Sequence, residues 1–255
     1  MGSWFVESLC LDYEVGVYDT DRNKLKYFFN SRKFIYLEEL IDFEPDLLIN
    51  AVNLERTITV FEEIVPHLRE NCIIADITSV KNGLAKYYRK AGRRFVSTHP
   101  MFGPTFANVR DLSEENAIII NESDSEGIEF FRKFYAAHEL KIHEYSFEEH
   151  DRTIAYSLSI PFSSTLVFAS CMKEQEAPGT TFKRHYDIAR GLLSEDDYLL
   201  SEILLNPFSV EQVQRINHSL ENLMKMIKEK DTSGLRSYFA ELRNNLGLQL
   251  KETEQ

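Results

Sequence analysis

The sequence of 255 residues is poor in cysteine and short of basic residues, and both shortages exclude classes of protein. Its three cysteines, Cys10, Cys72 and Cys171, are too few and too far apart for a disulfide framework or a metal cluster, which favours a reducing, cytoplasmic compartment. The 29 Lys and Arg residues are outnumbered by 41 Asp and Glu residues, giving a net charge of −12. This balance argues against nucleic acid or an anionic membrane as a partner.

Long uninterrupted apolar runs are also missing. Glu7 and Asp12 break the first segment, so no secretory leader is predicted. The longest apolar-leaning segment, Ile154–Met172, carries several serines and Pro161. It is therefore predicted to be a buried helix at a helix–helix interface rather than a membrane span.

The first half of the sequence alternates between strand-like and helix-like patterns. Strands are predicted at Glu14–Asp19, Pro45–Ala51, Cys72–Ala75, Phe95–Thr98 and Ala117–Asn121, and helices at Arg22–Phe29, at Leu54–Leu68 and from an N-cap at Ser79 to Lys90. Alternating units of this kind predict a parallel, doubly wound α/β sheet.

Strand patterns stop near His150, and five helical patterns follow. They cover Ile154–Met172, Phe182–Leu193, Asp196–Leu205, Val210–Lys228 and Ser233–Leu246. We therefore predict an α/β domain over residues 1–147 and an all-helical domain over residues 148–255.

Two polar loops follow buried-looking strands in the α/β half. The first reads Asp-Ile-Thr-Ser-Val-Lys-Asn-Gly over residues 76–83 and contains Ser79, and the second reads Ser-Thr-His-Pro-Met-Phe-Gly-Pro over residues 97–104 and contains His99. Because the carboxyl ends of parallel strands meet at one edge of the sheet, this hydroxyl and this imidazole are expected to share an active site. Taken singly, His99 could be a structural histidine and Ser79 a helix cap.

The two strings together resemble the prephenate dehydrogenase family, in which SVKNG and THPMFGP occur in this order. The resemblance implies a Rossmann-like domain followed by a helical substrate-binding and dimerisation domain. It also implies NAD as the cofactor and prephenate as the substrate, with oxidative decarboxylation to 4-hydroxyphenylpyruvate in tyrosine biosynthesis. His99 would be the base for the 4-hydroxyl, and Ser79 would orient His99 or the nicotinamide. A homodimer is expected, and no metal site is predicted.

Two other functions stay open at this stage. Arogenate dehydrogenase differs only by an amino group on the side chain of the substrate. A non-catalytic relative that has lost the cofactor is suggested by the absence of a complete Gly-x-Gly-x-x-Gly turn.

Met1 and Gly2 resemble the end of the nucleotide-binding turn of the family. We expect the first strand and two glycines to lie ahead of Met1, through a start codon assigned too late or a truncation. Asp19 follows Gly2 by 17 residues, which is close to the spacing of an acid that binds the ribose 2′-hydroxyl and favours NAD over NADP. Arg22 could instead accommodate a 2′-phosphate, and Asp19 alone could be a turn residue.

The string Lys183-Arg184-His185 is the predicted site for a substrate carboxylate. Basic residues at a helix start oppose the helix dipole, which suggests another purpose. In the family an arginine in this region pairs with a substrate carboxylate, so Lys183 or Arg184 is expected to bind it, with His185 able to share the task.

Other strings of the family have weaker interpretations here. His150 and Asp151 are interpreted as helix-start and packing residues. Lys81 and Asn82 fit a solvated helix face equally well. Ser159 and Phe162 stand where the family often has histidines, so any contact from that position should be absent or replaced.

Overall fold

The computed structural model describes residues 1–103 and 108–248, and within them the chain forms two compact units. The first unit comprises Met1–Ile154 and Leu193–Asn206. The second comprises Ala155–Leu192 and the described residues from Pro207 onward. This division differs from the predicted boundary after residue 147, because the segment up to Ile154 and the segment 193–206 both pack with the first unit.

Seven strands are formed within the described residues, and all of them lie in the first unit. They are β1 (Gly16–Tyr18), β2 (Arg32–Phe34), β3 (Leu47–Asn50), β4 (Ile73–Asp76), β5 (Phe95–Pro100), β6 (Asn116–Ile120) and β7 (Lys141–Tyr145). Strands β1 and β2 form a parallel pair, and β3 to β7 form a five-stranded sheet in sequence order. All pairs in the larger sheet are parallel except β5 with β6. The predicted Rossmann-like α/β fold followed by helices is confirmed.

Helices connect and follow these strands. They are α1 (Gly2–Leu9), α2 (Leu37–Asp42), α3 (Thr57–Ile64), α4 (Leu84–Ala91), α5 (Ser125–Ala137), α6 (Phe147–Ile154), α7 (Ile160–Cys171), α8 (Thr180–Leu192), α9 (Asp197–Leu204), α10 (Ser209–Glu229) and α11 (Thr232–Asn245). Short 3₁₀ turns lie at Lys24–Tyr27, Leu54–Arg56 and Val65–His67, and a π turn lies at Ala155–Ser159.

The helix predicted over Arg22–Phe29 is wrong, because this segment forms only the 3₁₀ turn Lys24–Tyr27. The side chain of Asp19 accepts a hydrogen bond from the backbone N–H of Asp21, and the side chain of Asp21 accepts one from Asn23. Such local side-chain bonds offer the backbone an alternative to helix, so the chain turns here instead.

Strand β4 shows why the sheet is covered on both faces. Ile73 and Ala75 pack in the core on one face, whereas Cys72 and Ile74 pack in the core on the other. Side chains alternate across a strand, so an unbroken apolar run buries both faces at once. Helix α5 packs tightly on the next strand, since a Cβ at Gly127 would lie 2.8 Å from the Cβ of Val96. A glycine is required there, and it fixes β5 against α5.

The second unit is helical and carries many apolar side chains on its surface. The continuous helical stretch Phe147–Cys171 has 25 residues and is long and apolar enough to cross a membrane, a property that core helices of soluble proteins share. Helix α7 packs against α8 and α10 but contains no buried residue. The expectation of a buried helix is therefore wrong for the single chain, in which the partners of α7 cover only part of its surface.

Candidate active site

His99 lies near the carboxyl end of β5, in register with Ile118 of β6, and its side chain is buried. The strand holds it rigidly, because Thr98 donates a hydrogen bond to the carbonyl of Ile118 at 2.7 Å and also bonds the Tyr135 hydroxyl at 2.9 Å. The predicted strand ends at Thr98, with His99 in the loop after it; in the structure β5 continues through His99 to Pro100. Pro104, the last residue of its predicted motif, lies outside the described residues.

The imidazole of His99 is the first member of a chain of three polar side chains. Its Nδ1 lies 3.1 Å from Nε2 of His150, and Nδ1 of His150 lies 3.1 Å from Oδ1 of Asp151. His150 is wholly buried in α6, whose start is held by a reciprocal cap between Ser146 and Glu149. His150 is thus a buried residue near the start of α6, as interpreted from the sequence, and its side chain also bonds the candidate base.

The hydrogen bonds among these three side chains determine which ring nitrogens carry a proton. An ionised carboxylate can only accept, so Asp151 takes the Nδ1–H of His150. Nε2 of His150 is then an acceptor and takes the Nδ1–H of His99. Nε2 of His99 is left with a lone pair, and it has no hydrogen-bond partner among the described residues. The arrangement presents an unprotonated nitrogen that can accept a proton.

Burial keeps both imidazoles neutral. It lowers the pKa of His99 well below 6.5, and the neighbouring His150 and the Lys81 ammonium lower it further. Burial also lowers the pKa of His150, although Asp151 acts in the opposite direction. His99 is therefore in its proton-accepting form at neutral pH.

An ion pair lies beneath this histidine pair. Nζ of Lys81 lies 2.5 Å from Oδ1 of Asp76, and both side chains are wholly buried. Burial alone would raise the pKa of Asp76, but the charge and hydrogen bond of Lys81, together with further hydrogen bonds such as that of Tyr88, lower it. Burial lowers the pKa of Lys81, with Asp76 opposing. The solvated-face interpretation of Lys81 is wrong.

Lys81 and Asp76 also form hydrogen bonds that connect three parts of the first unit. Lys81 donates to the carbonyl of Thr98 at 2.8 Å, one residue before His99. Asp76 accepts from the hydroxyl of Tyr88 in α4 at 2.7 Å and from that of Thr78 at 2.8 Å. The loop after β4, helix α4 and the end of β5 thus share one buried polar network, which holds the backbone of His99 in place.

Ser79 lies in the same loop but does not have its predicted capping role. Helix α4 begins at Leu84, and its N-cap is Gly83 with φ of 76°, a left-handed conformation that favours glycine. Within the described part of the chain, His99 bonds His150 and makes no hydrogen bond to Ser79. Ser79 is half-buried. Asn82, which follows Lys81, donates instead to Glu202 of α9 at 3.0 Å.

Two of the four predicted nucleotide-binding residues, Gly2 and Asp19, line one large groove, whereas Arg22 and Ser79 do not. Gly2, at the amino end of α1, and Asp19, directly after β1, both border it, and its volume is about 1360 Å³. This is roomier than the ~300–1,000 Å³ of a typical ligand pocket. Oδ2 of Asp19 lies 3.8 Å from Nζ of Lys24, which also borders the groove. Arg22 stacks on the ring of Tyr36 at 5.6 Å instead.

These residues fit a dinucleotide in two respects. The amino end of α1 offers free backbone N–H groups to an anion, and Gly2 lets it lie close to Ala51, since a Cβ at Gly2 would be 3.2 Å from that of Ala51. The carboxylate of Asp19 can accept bonds from ribose hydroxyls.

The predicted carboxylate-binding residues belong to the second unit. Lys183, Arg184 and His185 lie in the first two turns of α8 and are exposed. Nδ1 of His185 lies 3.0 Å from the carbonyl of Thr181, and its ring contacts that of Phe168 at 5.5 Å. Lys183 and Arg184 are therefore accessible to solvent. His185 instead bonds the backbone of its own helix and contacts Phe168 of α7. Ser159, where the family often has a histidine, is buried and bonds Ser209 at 2.7 Å.

Comparisons with known proteins identify a family that this chain resembles. Residues 21–139 match the family model of the prephenate dehydrogenase nucleotide-binding domain. A probable arogenate/prephenate dehydrogenase of Methanocaldococcus jannaschii is 24% identical over 221 residues, which are 81% of this chain and 49% of that protein. The chain spans about half the length of the curated relatives it matches.

Solved structures show the same fold. Prephenate dehydrogenase of Aquifex aeolicus, in complex with hydroxyphenyl propionate and NAD⁺, superposes with a TM-score of 0.82 at 17% identity and covers 96% of this chain and 93% of that one. Arogenate dehydrogenase of Synechocystis gives 0.74 at 15% identity, with 96% and 94% covered. The comparisons therefore confirm the resemblance to the prephenate dehydrogenase family, whose nucleotide-binding domain matches residues 21–139 of this chain.

Proposed function

We propose that this chain is an NAD-dependent dehydrogenase that converts prephenate to 4-hydroxyphenylpyruvate in tyrosine biosynthesis. The observation that carries the proposal is the chain of three side chains that ends in the free Nε2 of His99. The match of residues 21–139 to the nucleotide-binding domain supports the cofactor class.

The reaction needs a base, a hydride acceptor and cations for two carboxylates. Nε2 of His99 is placed to take the proton of the 4-hydroxyl. NAD, if held by Gly2 and Asp19, would supply the hydride acceptor for C4. The ring carboxylate then departs as CO₂, and its bonding electrons complete the aromatic ring. The oxygen regains one proton as the phenol.

His99 is suited to this proton transfer by its partners. When Nε2 gains a proton, the positive charge on His99 is shared through Nδ1 with His150, and Asp151 stabilises it. The same contacts fix the ring orientation, so the lone pair stays directed at one place. At neutral pH His99 is already unprotonated, because burial keeps its pKa low.

Asp19 and Gly2 are the residues that would hold NAD. We assign the ribose hydroxyls to Asp19 and the pyrophosphate to the amino end of α1. Ser79 is kept as a candidate partner of the nicotinamide amide, because it lies in the loop after β4. Arg22, which stacks on Tyr36, is not given a role in this proposal.

Lys183 or Arg184 is proposed to bind a substrate carboxylate. Their exposure on α8 leaves the guanidinium or ammonium free to form a charge-assisted hydrogen bond.

We also propose a cytoplasmic homodimer formed through the second unit. Its support is the set of apolar side chains that this unit exposes, among them Val167 at 49%, Ile188 at 59%, Leu220 at 49% and Ile227 at 60%. Exposed apolar patches of this kind mark interaction sites. Static light scattering at two concentrations tests this, since a monomeric mass at both would contradict it.

Replacing His99 by Asn tests the proposed base. Asn keeps a hydrogen-bonding group but cannot accept the proton, so kcat should fall by roughly a hundred- to ten-thousandfold while NAD affinity barely changes. His143→Asn is the matched control, because His143 is an exposed histidine on β7 that bonds Asn116. A His99→Asn enzyme with near wild-type kcat would remove His99 from the mechanism.

Arogenate is a second candidate substrate, because relatives named for both reactions match the chain. Turnover measured separately with prephenate and arogenate distinguishes the two. A protein that turns over neither compound and binds no NAD would instead fit the non-catalytic relative.

A further inference from the structure

A buried amide contacts the last member of the chain of polar side chains that begins at His99. Nδ2 of Asn206, a residue that is 5% exposed, donates a hydrogen bond to the backbone carbonyl of Asp151 at 2.9 Å. The two residues lie 55 positions apart in the sequence, and both belong to the first unit. The carboxylate of Asp151 in turn bonds Nδ1 of His150, whose Nε2 bonds His99. Asn206 is therefore connected to the candidate base, although the proposed reaction does not use it.

The bond between His150 and Asp151 joins adjacent residues of one helix. Adjacent residues on an α-helix do not face each other, so this contact of 3.1 Å depends on how the local backbone is held. Burial does not hold the carboxylate, since the side chain of Asp151 is 21% exposed whereas that of His150 is wholly buried. An anchor on the backbone of Asp151 is therefore a contact that can keep its carboxylate directed at His150.

The carbonyl that Asn206 bonds lies where the regular helix ends. Asp151 is in the last turn of α6, which ends at Ile154 and is followed by the π turn Ala155–Ser159. The last four carbonyls of an α-helix have no regular partner within it, and a π turn changes the register of the backbone hydrogen bonds. The amide of Asn206 supplies a donor at this point, so it fixes the backbone of Asp151.

Asn206 is itself held by α9, the helix that precedes it. Leu200 and Ile203 of α9 are buried, and the helix packs on the 3₁₀ turn that follows β3. Glu202 of α9 accepts a hydrogen bond from Asn82, in the loop after β4, at 3.0 Å. Asn206 therefore follows a helix that is fixed to the loops of the sheet, and it provides a firm point from which to hold α6.

We propose that Asn206 is a positioning residue of the active site. Its amide holds Asp151 so that the carboxylate accepts the Nδ1–H of His150, which leaves Nε2 of His150 to accept from His99. Without this amide, the carboxylate of Asp151 can turn toward solvent, and His150 can carry its proton on Nε2 instead. That proton would compete with the Nδ1–H of His99 at their contact. The ring of His99 would then lose the fixed orientation that directs its lone pair at the substrate.

The test removes the donor in two ways. Asn206→Leu has a side chain of similar size without a donor, and Asn206→Asp keeps the shape but places an oxygen where the amide donated. Asn50→Leu is the matched control, because Nδ2 of Asn50 is similarly buried and donates to the carbonyl of Thr57, also at 2.9 Å, outside this chain of side chains. Circular dichroism shows whether each variant folds.

The first readout is the position of the ring protons of His99 and His150. Long-range nitrogen–proton NMR spectra of the imidazoles report it, with signals assigned through the variants His99→Asn and His150→Gln. We expect the Nδ1–H form of His150 to dominate in the wild type and in Asn50→Leu, and to lose its dominance in both Asn206 variants. This measurement needs no substrate, so it is independent of the proposed function.

The second readout is kinetic and rests on the proposed function. In the Asn206 variants kcat should fall by about ten- to a hundredfold, whereas KM for prephenate and for NAD should stay within about twofold of the wild type. Unchanged ring protons in both Asn206 variants, or a wild-type His150 protonated on Nε2, would overturn the positioning role while leaving the proposed function intact. Loss of the Nδ1–H form in a protein that turns over neither prephenate nor arogenate would support the positioning role and contradict the proposed function alone.

Discussion

Replacing Lys81 by Met should destabilise the protein strongly. The ammonium of Lys81 and the carboxylate of Asp76 are wholly buried and 2.5 Å apart. Removing Lys81 leaves the charge of Asp76 buried with only neutral donors, among them the hydroxyls of Thr78 and Tyr88 and the backbone N–H of Thr78. Breaking a buried pair in this way costs about 3–5 kcal/mol, whereas replacing both partners is often close to neutral. We therefore expect a loss of about 3–5 kcal/mol for Lys81→Met and a smaller loss for the double variant Lys81→Met/Asp76→Asn.

Urea unfolding followed by circular dichroism measures this difference, provided that the slope of free energy against urea is unchanged. Lys141→Met is the matched control, because Lys141 forms a pair of similar length with Glu114, 2.6 Å, at an exposed site. That change should cost no more than about 1 kcal/mol. If Lys81→Met cost no more than Lys141→Met, the buried pair would not contribute as the structure implies.

Three further predictions concern the site. Asp19→Ala should narrow the preference for NAD over NADP, and comparable turnover of the wild type with both cofactors would contradict the role of Asp19. Alanine at Lys183 or Arg184 should raise KM by about ten- to a hundredfold for the residue that binds the carboxylate, and an unchanged KM in both variants would show a surface role only. Because burial lowers the pKa of His99 and its neutral form is the base, kcat/KM should fall only below pH 6.5, and an acid limb centred above that value would exclude His99.

The elements that the sequence predicted well are those with strong local patterns. Strands β3, β4 and β6 are short, mainly apolar runs, and α4 ends at Ala91, next to its predicted end at Lys90. The segment Arg22–Phe29 was mispredicted because the Asp19 and Asp21 side chains compete for the backbone. Strand β2 was missed because it has three residues, two of them exposed.

The sequence by itself determined which chemical groups reach the sheet edge: one imidazole near the end of β5, and one hydroxyl and one ammonium in the loop after β4. Tertiary structure alone decided what each group does. His150 is 51 residues from His99 and Thr98 is 17 residues from Lys81, yet each pair is in hydrogen-bond contact. No periodicity encodes contacts at such separations. Burial then determined what each charge does. On an exposed helix face Lys81 would be a solvated cation, but here it is the buried partner of Asp76 and lowers the pKa of His99.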